Sequence, residues 1–362
     1  MRCKRYLPPE QIETFLNKLP KETKQKILGF SVNGLPIHLV ELGKGERKIL
    51  MWSQMHGNES TTTKALFDLI PWLIDAEQEV FLDKFKFYII LQLNPDGAKA
   101  YTRANANQVD LNRDAIDLSQ PESRVLRNLF DEIHPDYALN LHGQRTIYGA
   151  GSNGKVATLS FLAPSADSQR SITPARAEAM KAIVAMYESL QNEIPQGIGR
   201  YDDHFNPNCV GDSFTQAGVP TLLFEAGHFP NDYPREQVKK YVFKAYQALL
   251  HFLLMKEKNV TTAQYFKIPE NKSDFVDLIV SQLNVKQEGI VYKNQQVAIQ
   301  YIEVLNKDAV EFKPSLKAYG KELPFRAHRH VTVPANKTEV VLEFSKNKII
   351  SNPYFSKLFS VK

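Results

Sequence analysis

Four apolar runs, each stopping at a polar residue, restrict this chain more than any other feature. Residues 49–54 lead to His56, 87–93 to Asn94, 137–141 to His142, and 219–224 to Glu225. Short, continuous apolar runs of this kind read as strands buried on both faces. Stretches with helical spacing lie between them. Ala65, Leu66, Leu69, Ile70, Leu73 and Ile74 fall on one helical face, and residues 121–133, 173–191 and 235–255 also carry a helical pattern. Strands alternating with helices predict an α/β domain. In such a sheet the strand ends converge on one edge, where ligands bind. His56, Asn94, His142 and Glu225 are therefore expected to share a pocket.

The rest of the chain fills in around this frame. Residues 9–19 read as a short amphipathic helix closed by Pro20, and 27–32 with 37–42 as two strands joined by Asn33-Gly34, a strong hairpin signal. Asn94-Pro95-Asp96-Gly97 breaks the second buried strand, and 143–165 reads as loop with one strand. The pattern changes near residue 258. Beyond Asn259-Val260-Thr261-Thr262, short β-prone runs dominate, at 297–304, 330–333 and 340–344. This predicts a first domain over residues 1–258 and a small, mostly-β domain over 261–362.

Composition excludes several classes. A formal charge of +5, from 45 basic and 40 acidic residues spread along the chain, gives no nucleic-acid footprint. Cys3 and Cys209 are the only cysteines, so neither a disulfide framework nor a cysteine zinc site is implied. The basic start Arg2-Cys3-Lys4-Arg5 is followed by Leu7-Pro8-Pro9-Glu10 where a signal peptide would have its apolar stretch. The longest apolar segment, 248–255, contains His251 and is far too short to cross a membrane. A cytoplasmic protein without a membrane partner is the expectation.

His56 and Glu59 stand three residues apart at a strand-to-helix junction, where an imidazole and a carboxylate can chelate a divalent metal. With His142 they form a two-histidine, one-carboxylate set that leaves a fourth position open, as in catalytic zinc sites. Zinc acidifies water, and that chemistry needs a carboxylate to take the proton; Glu225 is the candidate. Arg103 and Asp110-Leu111-Asn112-Arg113 add the third piece. An arginine fork beside an asparagine suits a carboxylate, and a second arginine can polarise a carbonyl.

H-G-N-E, N-P-D-G, R-A-N-A-N-Q-V-D-L-N-R, L-H-G and F-E-A-G, in this order, resemble the zinc metallocarboxypeptidase family. The segment from Leu28 to Gly43 is similar as well, and the resemblance covers residues 25–255. It implies a central mixed eight-stranded sheet with flanking helices and one zinc per chain. His56, Glu59 and His142 would be the ligands, and Asn112 with Arg113 the clamp on a substrate's terminal carboxylate. Arg103 would polarise the carbonyl, Glu225 would be the general base, and Tyr201 would line the substrate. The substrate so implied is a peptide, or peptide-like molecule, with a free C-terminal carboxylate. The sequence also departs from the family pattern. Asp114 follows Asn112-Arg113, Gly143-Gln144 follow His142, and Val210-Gly211-Asp212 lack an arginine or lysine in the region that sets side-chain preference.

Two other readings share these residues. The aspartoacylase and succinylglutamate desuccinylase group also carries H-x-x-E, a later histidine and D-L-N-R, and acts on small N-acyl amino acids. The lead-in and N-P-D-G favour the carboxypeptidase side. An inactive binding protein on the same fold is disfavoured because ligands, base and clamp are all present. His328 and His330 read as a solvated segment, and Cys209 as an inert buried thiol.

Overall fold

The computed structural model describes residues 5–152, 154–255, 259–334, 341–345 and 348–349. Cys3, Val340 and the chain beyond Ile349 lie outside the described residues. In chain order the strands of the first part are β1 (Lys24–Phe30), β2 (Pro36–Leu42), β3 (Arg47–Ser53), β4 (Phe85–Ile90), β5 (Tyr137–Gly143), β6 (Tyr148–Ala150), β7 (Leu159–Leu162), β8 (Ile198–Arg200) and β9 (Thr221–Ala226). The helices are α1 (Pro9–Leu16), α2 (Thr61–Ile74), α3 (Glu79–Lys84), α4 (Pro95–Ala100), α5 (Pro121–Ile133), α6 (Pro174–Leu190), α7 (Val210–Gln216), α8 (Glu236–Met255) and α9 (Thr262–Tyr265).

Eight of these strands form one mixed sheet, in the order β1-β2-β4-β3-β5-β9-β7-β8. Its centre, β4-β3-β5-β9, is parallel. The two-residue alternation along each strand separates two cores. Ile49, Met51, Leu139 and Phe224 face α2, α6 and α8, whereas Leu50, Trp52 and Ala138 face α5 and α7. Because β3, β5 and β9 run the same way, their carboxyl ends reach one edge together. His142 and Glu225 are register partners there, directly opposite on β5 and β9.

The chain then builds a second sheet from β11 (Phe275–Gln287), β12 (Ile290–Asn306), β13 (Ala309–Gly320), β14 (Arg326–Thr332), β15 (Val341–Ser345) and β16 (Lys348–Ile349), preceded by β10 (Asn271–Ser273). Where short runs were expected, β11 has 13 residues and β12 has 17. This sheet has its own apolar core, including Leu278, Val280, Leu283, Val297 and Ile299. Tyr265 and Ile268, however, lie past Thr261 and are packed in the first core.

The two parts are joined by polar and backbone contacts. β10 pairs with β6. Buried Asp277 accepts from Tyr233 Oη at 2.8 Å and from Tyr301 N at 2.7 Å. Glu303 of β12 pairs with Arg5 and accepts from Tyr101 Oη at 2.5 Å. Among the described residues, no helix is long and apolar enough to cross a membrane.

Candidate active site

His56 follows β3 by a tight turn that leaves no room for a side chain at Gly57. A Cβ there would meet the Gly97 carbonyl carbon at 1.9 Å. That close approach lets the turn sit on α4 and aims His56 and Glu59 over the sheet edge, where β5 delivers His142. His56 Nδ1 lies 3.0 Å from Glu59 Oε1 and 3.0 Å from His142 Nδ1, and His142 Nδ1 lies 3.0 Å from Glu59 Oε2. Ligand atoms on a tetrahedral zinc with bonds of about 2.1 Å stand about 3.4 Å apart, so the three donors are within a few tenths of an ångström of a metal's coordination sphere. Among the described residues this is the one cluster of its kind.

The electrostatics fit a cation. His56 is buried, which by itself would lower its pKa, yet the Glu59 charge and the Asp110 hydrogen bond outweigh burial and push it up to about 9. Burial would likewise raise the Glu59 carboxyl, but the two imidazoles hold it well below the carboxylate range. A cluster that pulls positive charge in this way suits a divalent ion, which competes with protons for the same lone pairs. Asp110 Oδ1 sits 2.9 Å from His56 Nε2. A proton on Nε2 bonded to Asp110 leaves the Nδ1 lone pair for a metal. Zinc matches this donor set of two imidazoles and a carboxylate.

Glu225 lies beside this group, with Oε2 buried and without a hydrogen-bond partner among the described residues. Burial, and next the Glu59 charge, push its carboxyl well above the usual range. Arg103 donates to Asp110 Oδ2 from Nε at 3.0 Å and approaches Glu59 Oε1 at 3.5 Å. Asn112 and Arg113 form the tight turn that follows. Asn112 Oδ1 accepts from Val210 N at 3.1 Å, which joins the turn to α7. Arg113 is exposed, and its side chain donates to the Asn112 carbonyl. Tyr201 reaches the site with its hydroxyl 3.1 Å from that of Tyr148. Burial and the nearby Glu225 charge raise its pKa.

Apart from Asp110 and Val210, these residues line one cavity of about 940 Å³, together with Gln300, Tyr301, Ile302 and Glu303 of the second sheet. β12 is thus one wall of the site. Arg235, buried at the head of α8, donates to Ala226 O and Gln144 O and so ties the ends of β9 and β5. Sequence reasoning missed Arg235, Glu303, Tyr148 and Arg145. Arg145, three residues past His142, carried the one available signal.

Some expectations change. Asn94 does not line the cavity: its Oδ1 accepts from Gly97 N to cap α4, and its Nδ2 donates to Met55 O. A polar residue after an apolar run serves there as a helix cap. His328 is not solvated. It stacks on Phe275 and bonds to Thr146 O at 2.7 Å, while His330 is exposed. Asp114, where the chain leaves the family pattern, is buried and accepts from Ser119 N and Gln120 N, a turn-building role. Cys209, expected to be buried, is half-buried and lines the cavity, where partial burial still pushes its thiol up to about 11.

Residues 10–117 match a family model described as zinc carboxypeptidase. Carboxypeptidase SOL1 of Arabidopsis thaliana is 28% identical over 153 residues, 36% of this chain and 31% of that protein. The match thus spans under a third of that relative's length. A metallo-carboxypeptidase from Burkholderia cenocepacia superposes with a TM-score of 0.53 at 19% identity, covering 68% of this chain and 69% of the other. A metallo-carboxypeptidase from Pseudomonas aeruginosa, solved with (2-guanidinoethylmercapto)succinic acid, gives 0.53 at 20% identity, with 67% of each chain covered. The resemblance read from the motifs is borne out, and the fold is that of these structures.

Proposed function

We propose that this relative of the zinc carboxypeptidases is a metal-dependent exopeptidase, which hydrolyses the bond before the C-terminal residue of a peptide with a free carboxylate. The observation that carries the reading is the convergence of His56, Glu59 and His142 on one point with Glu225 in register beside them. A divalent zinc bound there supplies a Lewis acid and makes water acidic enough to attack near neutral pH.

The chain's own residues supply the rest. Glu225 takes the proton from the attacking water and returns it to the leaving amine. Arg113 and Asn112 hold the terminal carboxylate and so select the last residue. Arg103 faces the carbonyl oxygen and stabilises the charge that develops on it. Tyr201, Tyr148 and the β12 wall enclose the peptide. In this reading the second sheet, with its own core, is an accessory unit that also completes the pocket.

The test is a zinc-loaded sample incubated with peptides bearing free or amidated C-termini, followed by mass. Loss of a single terminal residue from the free acids alone supports the reading. Internal cleavage, or release of an acyl group from small N-acyl amino acids only, overturns it.

A further inference from the structure

Most charge in the cavity is already matched. Arg103 holds Asp110, Arg5 holds Glu303, and Asp202 holds His204. Arg235 is buried against two carbonyl oxygens, and Asp212 accepts from Asn206 N. Two guanidinium groups are left over. Arg113 and Arg145 both line the cavity, both are exposed, and neither forms an ion pair with a described residue.

They stand on opposite flanks of the His56–Glu59–His142 group. Arg113 belongs to the turn fixed on α7, the flank shared with α5. Arg145 leaves β5 on the flank held by α8 and the second sheet. Arg235 donates to Gln144 O on one side of it, and Gln300 of β12 donates to Thr146 Oγ1 at 2.9 Å on the other. His328 also bonds the Thr146 carbonyl oxygen at 2.7 Å, so the chain is held on both sides of Arg145 while its side chain forms no hydrogen bond with a described residue. Gly143, two residues earlier, donates its N–H to Glu59 Oε2 at 2.9 Å. Two residues span at most about 7 Å, so the Arg145 stem starts close to the reacting centre.

We propose that Arg145 is an anion subsite, and that the preferred substrate carries a negative charge on the residue N-terminal to the scissile bond as well as its terminal carboxylate. The proposal rests on the exopeptidase reading above. With the terminal carboxylate on Arg113, the peptide crosses the metal-binding group and continues toward Arg145 and β12. A carboxylate there meets a guanidinium that no described acid already pairs, in a cavity where most other charges are matched.

The test uses N-acetylated peptides that differ only by Glu or Gln before the last residue, in sets covering several last residues. The zinc-loaded full chain is expected to prefer the Glu peptides by roughly ten-fold in kcat/KM, the size of a charge-assisted hydrogen bond. Added salt should shrink the preference. In Arg145→Gln the ratio should fall to near one, and Arg145→Glu should shift preference to the matching Lys peptides. Equal cleavage of Glu and Gln peptides by the wild type, or an unchanged ratio in Arg145→Gln, overturns the subsite. If no peptide is cleaved, the exopeptidase reading has failed, and calorimetric binding of the same peptides decides the subsite separately. A Glu-over-Gln difference lost in Arg145→Gln supports it, and equal or absent binding overturns it.

Discussion

His56 Nδ1 and His142 Nδ1 face each other at 3.0 Å, with a Glu59 oxygen 3.0 Å from each. Two nitrogens this close cannot both carry a proton, so at least one lone pair points into the space between them. We expect the purified protein to hold about one zinc per chain, the stoichiometry of such a site. Elemental analysis of wild type and His142→Ala checks it. Full occupancy in the variant would remove His142 from the ligand set.

Glu225→Gln is expected to lower turnover on the order of 10²-fold or more while zinc content stays the same. The amide keeps the shape but takes no proton. Because the folded state raises this carboxyl's pKa, its ionised form is held at a cost. Metal-free Glu225→Gln should thus melt no lower than wild type at pH 8. Near-wild-type turnover in the variant would place the base elsewhere.

Arg113→Ala is expected to cost activity on a free-acid peptide far more than on its amide. Losing the charge-assisted bonds of an exposed guanidinium costs on the order of 1.5–3 kcal/mol, roughly 10- to 150-fold in kcat/KM. Lysine should rescue only partly, since it lacks the fork. A wild type that cleaves acid and amide equally well has no terminal clamp at Arg113.

Asp212 gives a pH effect on stability. Burial, partly offset by hydrogen bonds and nearby arginines, pushes its carboxyl from 3.8 up to about 6. Between those values the folded chain keeps a proton that the unfolded chain has released. Stability from this group is therefore full below the lower value and is lost as pH rises to the upper one. Asp212→Asn does not titrate, so its melting temperature should gain on wild type from pH 4.5 to 7.5. A constant difference over that range would show that Asp212 does not titrate there.

Glu303→Ala would leave Arg5, largely buried, facing Tyr101 and no carboxylate. The pair lies between an exposed and a buried salt bridge, so a loss of roughly 2 kcal/mol is expected. Urea unfolding of wild type, Glu303→Ala and Glu303→Gln measures it, with the amide intermediate. Identical midpoints for all three would mean the pair holds nothing.

The central sheet was legible because its strands are apolar on both faces: 49–54 and 219–224 have no other stable reading. The metal-binding group was legible for a related reason, since polar residues that end such strands must share an edge. That same signal misled at Asn94, whose position also fits the cap of α4. The long strands of the second sheet were harder to see. β12 begins with exposed Ile290, Val291, Tyr292 and Lys293 and alternates irregularly afterwards, so only its buried stretch stood out. Arg5 with Glu303, and Gln300 with Thr146, had no local signal. Pairings across such separations are set by how the sheets dock.

Arg5 and Glu303 are 298 positions apart, so they are made at very different times. All three metal-binding side chains, and Glu225 after them, leave the ribosome before β12 exists. At ordinary synthesis rates the interval from Glu225 to Glu303 lasts on the order of ten seconds. During it all three metal-binding side chains have been made while one wall of the cavity is missing and Arg5 has no Glu303 to pair with. The cavity is therefore open-sided until the last third of the chain is made, a stage that a ribosome-stalled chain ending before β12 would expose through arginine-directed labelling of Arg5.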